Sequence, residues 1–549
     1  MRTPEDIVSE ILASRGIDPL ASIEEFFSEK PALTYDPFLL PDMEEGVDFL
    51  LSSIKSGKRI CIYGDYDVDG TLAAALLTEW FRGFAPKGDD IAWHIPLRVE
   101  EGYGLNFDSI RGINDKGFDI IITVDCGSVS REEVAYARSL GLDIIITDHH
   151  DCPGHLLPEC LVINPKREGS NYPFRELSGC GVAFKLAQGM SKRMAGDKGA
   201  VQRLNRLLDF VAVATVADVT PLTDENRTLV KYGLSMLRKG RRKAFGKLVS
   251  AISLDSNKLT AWNIAFGIAP HLNAAGRLSD AGKVVELFTT DDGALMDAVI
   301  SELIIHNSDR RKMQDEAVEE CIRLADEVAK DDLLLFLKPA NIHEGIAGIV
   351  AGRIKEWSGR PVLILSETPE GNLKGSGRSV RGVDLIALLR EEEAMFIKLG
   401  GHKMAAGFTI LAENEEPLRR KLNARLKAML NKNPDLMKED PLIEAELSPE
   451  EGTLGLAEKL QGFEPTGHGN PKPSLMLRDV PVDAPRFMGK DGQHMRFSVK
   501  GLECVLFNRA EEFKEMIVAG AVLSIIGNLD INEWNGSLSP QFLIREIIS

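Results

Sequence analysis

Three short runs of apolar, largely β-branched residues constrain this chain more than any other feature, because each ends in acidic or histidine residues. The runs are KRICIYG from residue 58, FDIIITVDCG at 118–127 and LDIIITDHH at 142–150. Their ends carry Asp65, Asp67, Asp69, Asp125, Asp148, His149 and His150. Helical patterns follow the first two runs, and LVINP at 161–165 is a fourth run. The alternation of short strands and helices predicts βα units and a parallel sheet.

A parallel sheet would bring these polar side chains to one edge, where open α/β sheets bind ligands. Alternate residues of an extended segment point the same way, so Asp65, Asp67 and Asp69 would crowd a small volume. Like charges at that distance repel strongly, and divalent cations remove the repulsion. Carboxylate and imidazole ligands without thiolate suit Mn²⁺ or Mg²⁺ better than structural zinc. We therefore predict phosphoester hydrolysis by two ions ~3.5–4 Å apart.

Simpler interpretations of the same residues remain open at this point. An Asp after a strand is a common helix N-cap, and Asp148 fits that role. DxDxDG also resembles the start of a calcium loop, but residue 76 is Leu where that loop requires Glu. The coincidence of three acidic strand ends favours a metal site over a set of unrelated caps.

Several motifs resemble those of one known superfamily. DYDVDG, VDCG, TDHH and VATVAD (213–218) resemble the successive motifs of the DHH phosphoesterases, and GGHKMAAG (400–407) resembles their substrate-binding DHHA1 domain. With PHLNAAGR (270–277) and a β-rich C-terminus, the chain is most similar within that superfamily to the RecJ family of single-strand-specific exonucleases.

The resemblance implies a set of metal ligands and catalytic residues. Asp65 and Asp67 would bind a first Mn²⁺ or Mg²⁺ ion, Asp69, His149 and Asp218 a second, and Asp125 both. The implied catalytic residues are Asp67, Asp69, Asp125, His149, His150 and Asp218, with His150 beside the ions. From the residues alone, Asp218 is equally compatible with a plain helix end.

Glycine-rich segments in the second half of the chain are candidate phosphate contacts. GSGRSVRG (375–382) combines backbone N–H groups with an Arg suited to bidentate binding. GGHKMAAG is expected to open a helix, whose N-terminus would attract phosphate. HEGIAGIVAGR (343–353) and the NAAGR motif add further candidates. The candidate residues are Arg277, His343, Arg353, Ser376, Arg378, Ser379 and His402, and the resemblance supports a DNA-backbone role for Arg378 and His402.

Net charge restricts where nucleic acid could bind. The chain has 65 Lys+Arg and 83 Asp+Glu, a net charge of −18, so any basic surface must be local. Residues 231–247 hold seven Lys or Arg and no acid. Such a run is usually a solvated face, but in this chain it is a candidate DNA contact. Neutralising Arg238, Arg241 and Arg242 is expected to weaken DNA binding and its salt dependence.

The pattern along the chain predicts an α/β protein. We expect an N-terminal helical segment, a parallel-sheet DHH domain, a long connector helix, a smaller α/β DHHA1 domain and an OB-like C-terminal β-barrel. The corresponding ranges are 1–57, 58–278, 279–330, 331–430 and 431–549. In the barrel, Phe487, Phe497, Phe507, Trp534 and Phe542 could stack on bases, although most are expected in the core.

The resulting hypothesis is a metal-dependent 5′→3′ exonuclease that releases 5′-mononucleotides from single-stranded DNA in repair and recombination. Direction and DNA preference come from the resemblance. The alternatives are a phosphodiesterase acting on short oligoribonucleotides or cyclic dinucleotides, and a non-catalytic replication scaffold of the same fold. A single-strand-binding protein or a helicase is a candidate partner.

A cytoplasmic location is expected. The seven cysteines form no CxxC pair, the N-terminus has no signal-peptide pattern, and no apolar run approaches the ~20 residues of a membrane span.

Overall fold

A computed structural model describes residues 2–548 except 31, 85–86, 88–89, 98–100, 103, 195–196, 328–329, 341 and 439–440. The chain divides into two units. Unit 1 comprises Met1–Gly276, Asp280–Ile300 and Pro441–Ser549, and unit 2 comprises Arg277–Ser279 and Ser301–Asp440. Among the described residues, every helix is too short or too polar to span a bilayer.

A five-stranded parallel sheet organises the first part of unit 1, with strand order β2-β1-β3-β4-β5. The strands are β1 Ile60–Gly64, β2 Ile91–His94, β3 Ile120–Val124, β4 Asp143–Thr147 and β5 Leu161–Ile163. Every residue of β1 and β3 is buried, as expected for parallel strands covered on both faces. The predicted strands β1, β3, β4 and β5 are confirmed. β2 was not predicted, because its four residues, IAWH, carry only one β-branched side chain.

Helices cover this sheet and form most of the chain before residue 290. They are α1 Pro4–Ser14, α2 Pro19–Phe27, α3 Met43–Lys55, α4 Val68–Arg82, α5 Phe107–Asp115, α6 Arg131–Ser139, α7 Gly179–Arg193, α8 Lys198–Arg206, α9 Leu208–Ala217, α10 Asp224–Arg238, α11 Lys243–Ala251, α12 Ala261–Asn263, α13 Ala269–Leu278 and α14 Gly282–Thr289. A π-helical stretch, Ile264–Ile268, joins α12 to α13. The apolar helices α4 and α9 are buried nearly all round, and both pack against α7.

Unit 2 is the smaller α/β part. Its helices are α15 Gly293–Glu327, which begins in unit 1, α16 Glu344–Ser358, α17 Leu385–Arg390 and α18 Glu415–Lys432. Its strands are β6 Leu335–Leu337, β7 Val362–Glu367, β8 Asn372–Arg378, β9 Phe396–His402 and β10 Ala405–Leu411, in the order β6-β7-β8-β10-β9. The 35-residue α15 confirms that a long helix lies between the two α/β regions.

The expectation that GGHKMAAG opens a helix is wrong. Its residues form the ends of β9 and β10 and the turn between them, with Ala405 paired to His402. In β10 the buried residues Ala406, Phe408 and Ile410 alternate with more exposed ones. This period of two, together with consecutive glycines of low helix propensity, favours a hairpin over a helix.

The C-terminal part of unit 1 is a seven-stranded sheet ordered β11-β12-β16-β17-β15-β14-β13. Its elements are β11 Ala445–Leu447, α19 Leu454–Gln461, β12 Leu475–Pro481, β13 Asp483–Met488, β14 His494–Val499, β15 Leu502–Leu506, α20 Ala510–Phe513, β16 Val522–Trp534 and β17 Ser537–Ile548. Of the five candidate aromatic residues, Phe497 and Phe542 are in the core. Phe487, Phe507 and Trp534 are 54%, 50% and 73% exposed, so the expectation that most would be buried is wrong.

The N-terminal helix α1 packs into this C-terminal core. Ile7, Ile11 and Leu12 are buried in the same apolar cluster as Phe497. The side chain of Arg15 is also largely buried, and its Nε lies 2.6 Å from Glu444 Oε1. The first helix of the sequence therefore helps to complete the last folded region of the chain.

Candidate metal centre and phosphate contacts

The DYDVDG motif forms a tight turn between β1 and α4. Asp67 is the N-cap of α4, and its Oδ1 accepts a hydrogen bond from the Gly70 amide at 3.0 Å. The chain folds back so closely that a Cβ on Gly70 would lie 2.6 Å from the backbone N and O of Asp65. Asp69 already belongs to the first turn of the helix. The acids are therefore brought together by a strand-to-helix turn and not by the alternation of an extended segment.

The start of α7 holds the Asp69 carboxylate. Its oxygens accept hydrogen bonds from the Gly179 amide at 2.6 Å and the Cys180 amide at 2.8 Å. Helix N-termini favour negative charge in this way. Burial nevertheless raises the pKa of Asp69 to about 7, with a further contribution from the charge of Asp67. The two amides of α7 therefore hold the Asp69 carboxylate in place, although burial disfavours its charged form.

Asp125 follows β3 in a left-handed backbone conformation, with φ 62°. Its amide donates to Thr147 O at 3.0 Å, which fixes this turn to the end of β4. A Cβ on Gly179 would lie 2.6 Å from both Cβ and Oδ1 of Asp125, so only glycine fits at that position. Burial and the charge of Asp69 raise the pKa of Asp125 well above its ordinary value. Its carboxylate thus lies between the DYDVDG turn and the start of α7.

His149 lies among three carboxylates. Its Nε2 is 3.1 Å from Asp125 Oδ1, 3.9 Å from Asp69 Oδ2 and 3.7 Å from Asp218 Oδ2. Burial, followed by the charge of His150, lowers the pKa of His149 to about 4, which leaves a neutral imidazole as metal binding requires. Burial and nearby acids raise the pKa of Asp218, at the end of α9, to about 9.

The donor atoms fall into overlapping groups of the size that a cation requires. Ligand atoms within 4.8 Å of one another come from Asp65, Asp67 and Asp125; from Asp69, His149 and Asp218; and from Asp125, His149 and His150. Asp125 Oδ1 and His149 Nε2 are buried and make no hydrogen bond to any residue that the structure describes. Hard oxygen donors, a neutral imidazole and these unsatisfied buried atoms fit a divalent cation such as Mn²⁺ or Mg²⁺.

Asp148 has a role that the sequence did not indicate. Its buried carboxylate accepts hydrogen bonds from the backbone amides of Ser128, His149 and His150. It also lies 2.8 Å from the Nδ1 of His150. Burial alone would lower the pKa of His150, but Asp148 outweighs burial and raises that pKa to about 9. Asp148 therefore clamps the turn and keeps His150 protonated at neutral pH, instead of capping a helix.

The PHLNAAGR motif supports the acidic turn from outside. Asn273 Oδ1 accepts a hydrogen bond from the Val68 amide at 3.2 Å. A Cβ on Gly276 would lie 2.2 Å from Tyr66 O, so glycine is needed where α13 meets the turn. The sequence predicts only Arg277 of this motif as functional, because nothing in one sequence marks Gly276 as a packing residue or Asn273 as the support of a distant turn.

Within unit 2, candidate phosphate contacts gather at the start of α16. His343 is the N-cap of that helix, and its Nδ1 accepts from the Gly345 amide at 3.1 Å. Arg277 Nη1 donates to Gly345 O at 2.6 Å. Ser376 and Arg378, in β8, lie against Gly348 of α16, where a Cβ would be 3.0 Å from Ser376 Oγ and 2.9 Å from Arg378 Nη2.

The other unit 2 candidates have different surroundings. Ser379 is buried, and its hydroxyl donates to Val383 O at 2.7 Å. Arg353 Nη1 lies 2.5 Å from Asp315 Oδ1 in an ion pair on the surface. His402 lies on the exposed end of β9. The hydroxyl of Ser379 and the guanidinium of Arg353 are therefore already engaged within the protein.

The basic stretch at 231–247 is only partly available to DNA. Arg242 is largely buried, and its Nε lies 2.8 Å from Asp209 while its Nη1 pairs with Glu79. Lys231 Nζ donates to Phe26 O at 2.8 Å. The expectation that Arg242 contacts DNA is therefore wrong, because its charge compensates acids within the domain.

Comparison with known proteins assigns the three folded regions. The DHH family N-terminal domain matches residues 59–215, the DHHA1 domain matches 331–428, and the RecJ OB domain matches 443–546. The single-stranded-DNA-specific exonuclease RecJ of Bacillus subtilis is 34% identical, covering 98% of this chain and 67% of that protein. The Escherichia coli enzyme of the same name is 33% identical, covering 98% of this chain and 95% of that protein.

Solved structures agree with these matches. A crystal structure of RecJ from Thermus thermophilus in complex with Mn²⁺ has a TM-score of 0.81 at 28% identity, covering 98% of this chain and 77% of that one. A structure of exonuclease RecJ bound to manganese has a TM-score of 0.60 at 32% identity, covering 74% of this chain and 98% of that one. The expected fold, a parallel-sheet DHH domain with DHHA1 and OB domains, is confirmed.

Proposed function

This chain belongs to the RecJ family of single-stranded-DNA-specific exonucleases, and we propose that it hydrolyses terminal phosphodiester bonds of single-stranded DNA at the Asp–His centre of unit 1. As a member of that family it is a metal-dependent hydrolase, with Mn²⁺ or Mg²⁺ as cofactor. The finer features proposed here are 5′→3′ direction, release of 5′-mononucleotides, two bound ions and a role in repair and recombination.

One observation carries the proposal: Asp125 belongs both to the donor group with Asp65 and Asp67 and to a donor group with His149. We assign Asp65 and Asp67 to one ion, Asp69, His149 and Asp218 to a second, and Asp125 to both. When bound, the ions supply an activated water and neutralise charge on the attacking and leaving oxygens. The chain supplies a buried, preorganised set of donors, held by the start of α7 and by the turn after β3.

His150 is placed to act on the reacting phosphate from beside the proposed ions. Its side chain is 45% exposed, whereas that of His149 is 9% exposed, so it is accessible to a substrate. Because Asp148 raises its pKa to about 9, it carries a positive charge at neutral pH. We propose that this imidazolium stabilises the negative charge that develops on the phosphoryl oxygens.

Phosphates of the DNA are proposed to bind to unit 2 through Arg378, Ser376, Arg277, His343 and His402. Burial lowers the pKa of Arg378, whose guanidinium remains charged and lies beside the Ser376 hydroxyl and the Gly348 backbone. A guanidinium and a hydroxyl two positions apart on one strand, and therefore on the same face, suit binding of a phosphate.

Two further features of the hypothesis remain proposals. A partner that delivers single-stranded DNA, such as a single-strand-binding protein or a helicase, suits the substrate class. A cytoplasmic location is supported by the seven cysteines, all of which are free thiols, as expected in a reducing compartment.

The test compares single-stranded DNA labelled at the 5′ or 3′ end, duplex DNA and short RNA, each with Mn²⁺, Mg²⁺ or chelator. Release of labelled mononucleotide from the 5′ end of single-stranded DNA, in the presence of metal and not of chelator, supports the proposal. Activity on short RNA alone would favour a superfamily phosphodiesterase, and inactivity with every metal would favour a scaffold. Asp125→Ala is expected to abolish turnover with the fold retained. Asp143→Ala, an exposed acid at the opposite end of the sheet, is the matched control.

A further inference from the structure

Two large aromatic side chains are exposed side by side on unit 1 without a role in the metal centre. Trp262 is 58% exposed and Phe266 is 61% exposed. Their ring centroids are 5.2 Å apart and their planes are inclined by 34°, closer to stacked than to edge-on. We call this pair the aromatic platform. On the same segment Ile264 and Ile268 are completely buried, so the platform is the outer face of a helix whose inner face fills the core.

The local helix geometry sets this platform apart from an ordinary surface helix. Ile264–Ile268 form a π-helical stretch between α12 and α13. Such stretches are rare and frequently occur at functional sites. The segment continues into α13, where Asn273 bonds the turn that carries Asp67 and Asp69. Asn273 follows Trp262 by eleven positions, or ~16 Å along a helix axis.

Exposed positive charge follows the end of α10, which contacts the segment leading into the platform. Arg238, at the end of α10, donates from Nε and Nη2 to Leu259 O, three residues before Trp262. The chain then continues into the exposed cations Lys239, Arg241 and Lys243, which we call the basic cluster. None of the three forms an ion pair within the part of the chain that the structure describes. In a chain of net charge −18, a cluster of exposed cations linked through Arg238 to the segment that carries the rings complements a polyanion.

We propose that the aromatic platform stacks against bases of single-stranded DNA while the basic cluster contacts phosphates of the same strand. Aromatic rings combined with a positively charged track are the means by which proteins bind single strands without sequence preference. The inference rests on the proposed function and adds an accessory binding surface to it. A protein partner is less favoured, because exposed cations accompany the rings in a chain whose net charge is −18.

The proposal is tested by equilibrium binding of fluorescent oligothymidine in the presence of chelator, so that hydrolysis is absent. Trp262→Ala combined with Phe266→Ala is expected to raise Kd for a long strand by about 10- to 100-fold. The increase should shrink for strands of about five nucleotides, which are close to the smallest single-strand site size. Trp262→Phe should retain most of the affinity, because a phenyl ring also stacks.

A matched control and a charge variant complete the test. Trp357 is 47% exposed near the end of α16, and Trp357→Ala should leave Kd unchanged. Lys239→Gln, Arg241→Gln and Lys243→Gln together should lower the slope of log K against log salt by about 2, at ~0.7 per phosphate contact. Unchanged Kd of the aromatic variant for long strands, or an equal loss in Trp357→Ala, would overturn the proposal. Hydrolysis of labelled DNA by the wild-type protein tests the nuclease function separately.

Discussion

Replacing Gly179 by alanine should inactivate the metal centre although none of its proposed ligands is substituted. The new Cβ would lie 2.6 Å from Cβ and Oδ1 of Asp125. Carbon atoms in contact are normally ~3.5–4.0 Å apart, so Asp125 or the first turn of α7 must move by about 1 Å. That turn also carries the amides that bind Asp69, so both acids would be displaced.

The expected loss follows from that displacement. A shift of about 1 Å at a reacting centre costs on the order of 100-fold in rate. Overpacking would also lower the free energy of unfolding by about 1–3 kcal/mol. Gly181→Ala is the control, because it lies in the same turn of α7 and its Cβ would meet its nearest neighbour at 3.5 Å. That variant gains helix propensity and should be fully active.

The assay measures kcat on labelled single-stranded DNA over a titration of Mn²⁺, with thermal melting of each variant. Gly179→Ala should have a lower kcat and require more Mn²⁺ at a temperature where it is still folded. A wild-type kcat and metal requirement in Gly179→Ala would refute the reasoning. An equal loss in Gly181→Ala would do the same, since the close approach to Asp125 would then not be the cause.

Three further outcomes are expected. Asp148→Asn should lower activity by about 10- to 100-fold while Mn²⁺ binding is retained. Because the pKa of His150 would fall from about 9, a pH–rate profile should show the greatest loss of activity at alkaline pH. The pKa of Asp218 is raised from 3.8 to about 9, so the metal-free protein should lose stability as pH rises between those values. Binding of Mn²⁺ should release protons from the protein over the same pH range. The number released is measured by titration calorimetry in buffers of different ionisation enthalpy. Binding without proton release would show that Asp218 was already charged. In denaturant melts, Arg242→Ala should lower the free energy of unfolding by about 3–5 kcal/mol, because it leaves the buried carboxylate of Asp209 without its partner. Arg241→Ala is the control and should change that free energy by less than ~0.5 kcal/mol. A similarly small effect of both substitutions would show that the Arg242 ion pairs add little stability.

The sequence predicted the parts of the fold whose signal is local. β1, β3 and β4 are continuous apolar runs, because strands buried on both faces need apolar side chains at every position. β2 lacks such a run and was missed. The prediction of a helix start at GGHKMAAG is wrong, because the alternation of buried residues in β10 and its pairing with β8 make that segment a strand.

The candidate site shows the same division. The sequence predicts Asp65, Asp67, Asp125 and His149 as ligands, because acidic and imidazole side chains at the ends of successive parallel strands share one edge. Gly179 could not be selected, since its importance depends on a contact with Asp125 across 54 positions of sequence. Arg242 was grouped with its basic neighbours, because one sequence does not show that Asp209 lies beside it.

By itself the sequence determined the class of fold and the chemistry, since hydrophobic periodicity and the types of donor are properties of neighbouring residues. Tertiary structure alone decided how those donors are held: by the amides of α7, by the clamp of Asp148 on His150, and by the packing of α13 against the acidic turn. It also placed helix α1 in the core of the C-terminal sheet. Except for the Asp148–His150 clamp, which is local in sequence but depends on burial, these contacts join distant segments. Shape and burial are not present until the chain has folded.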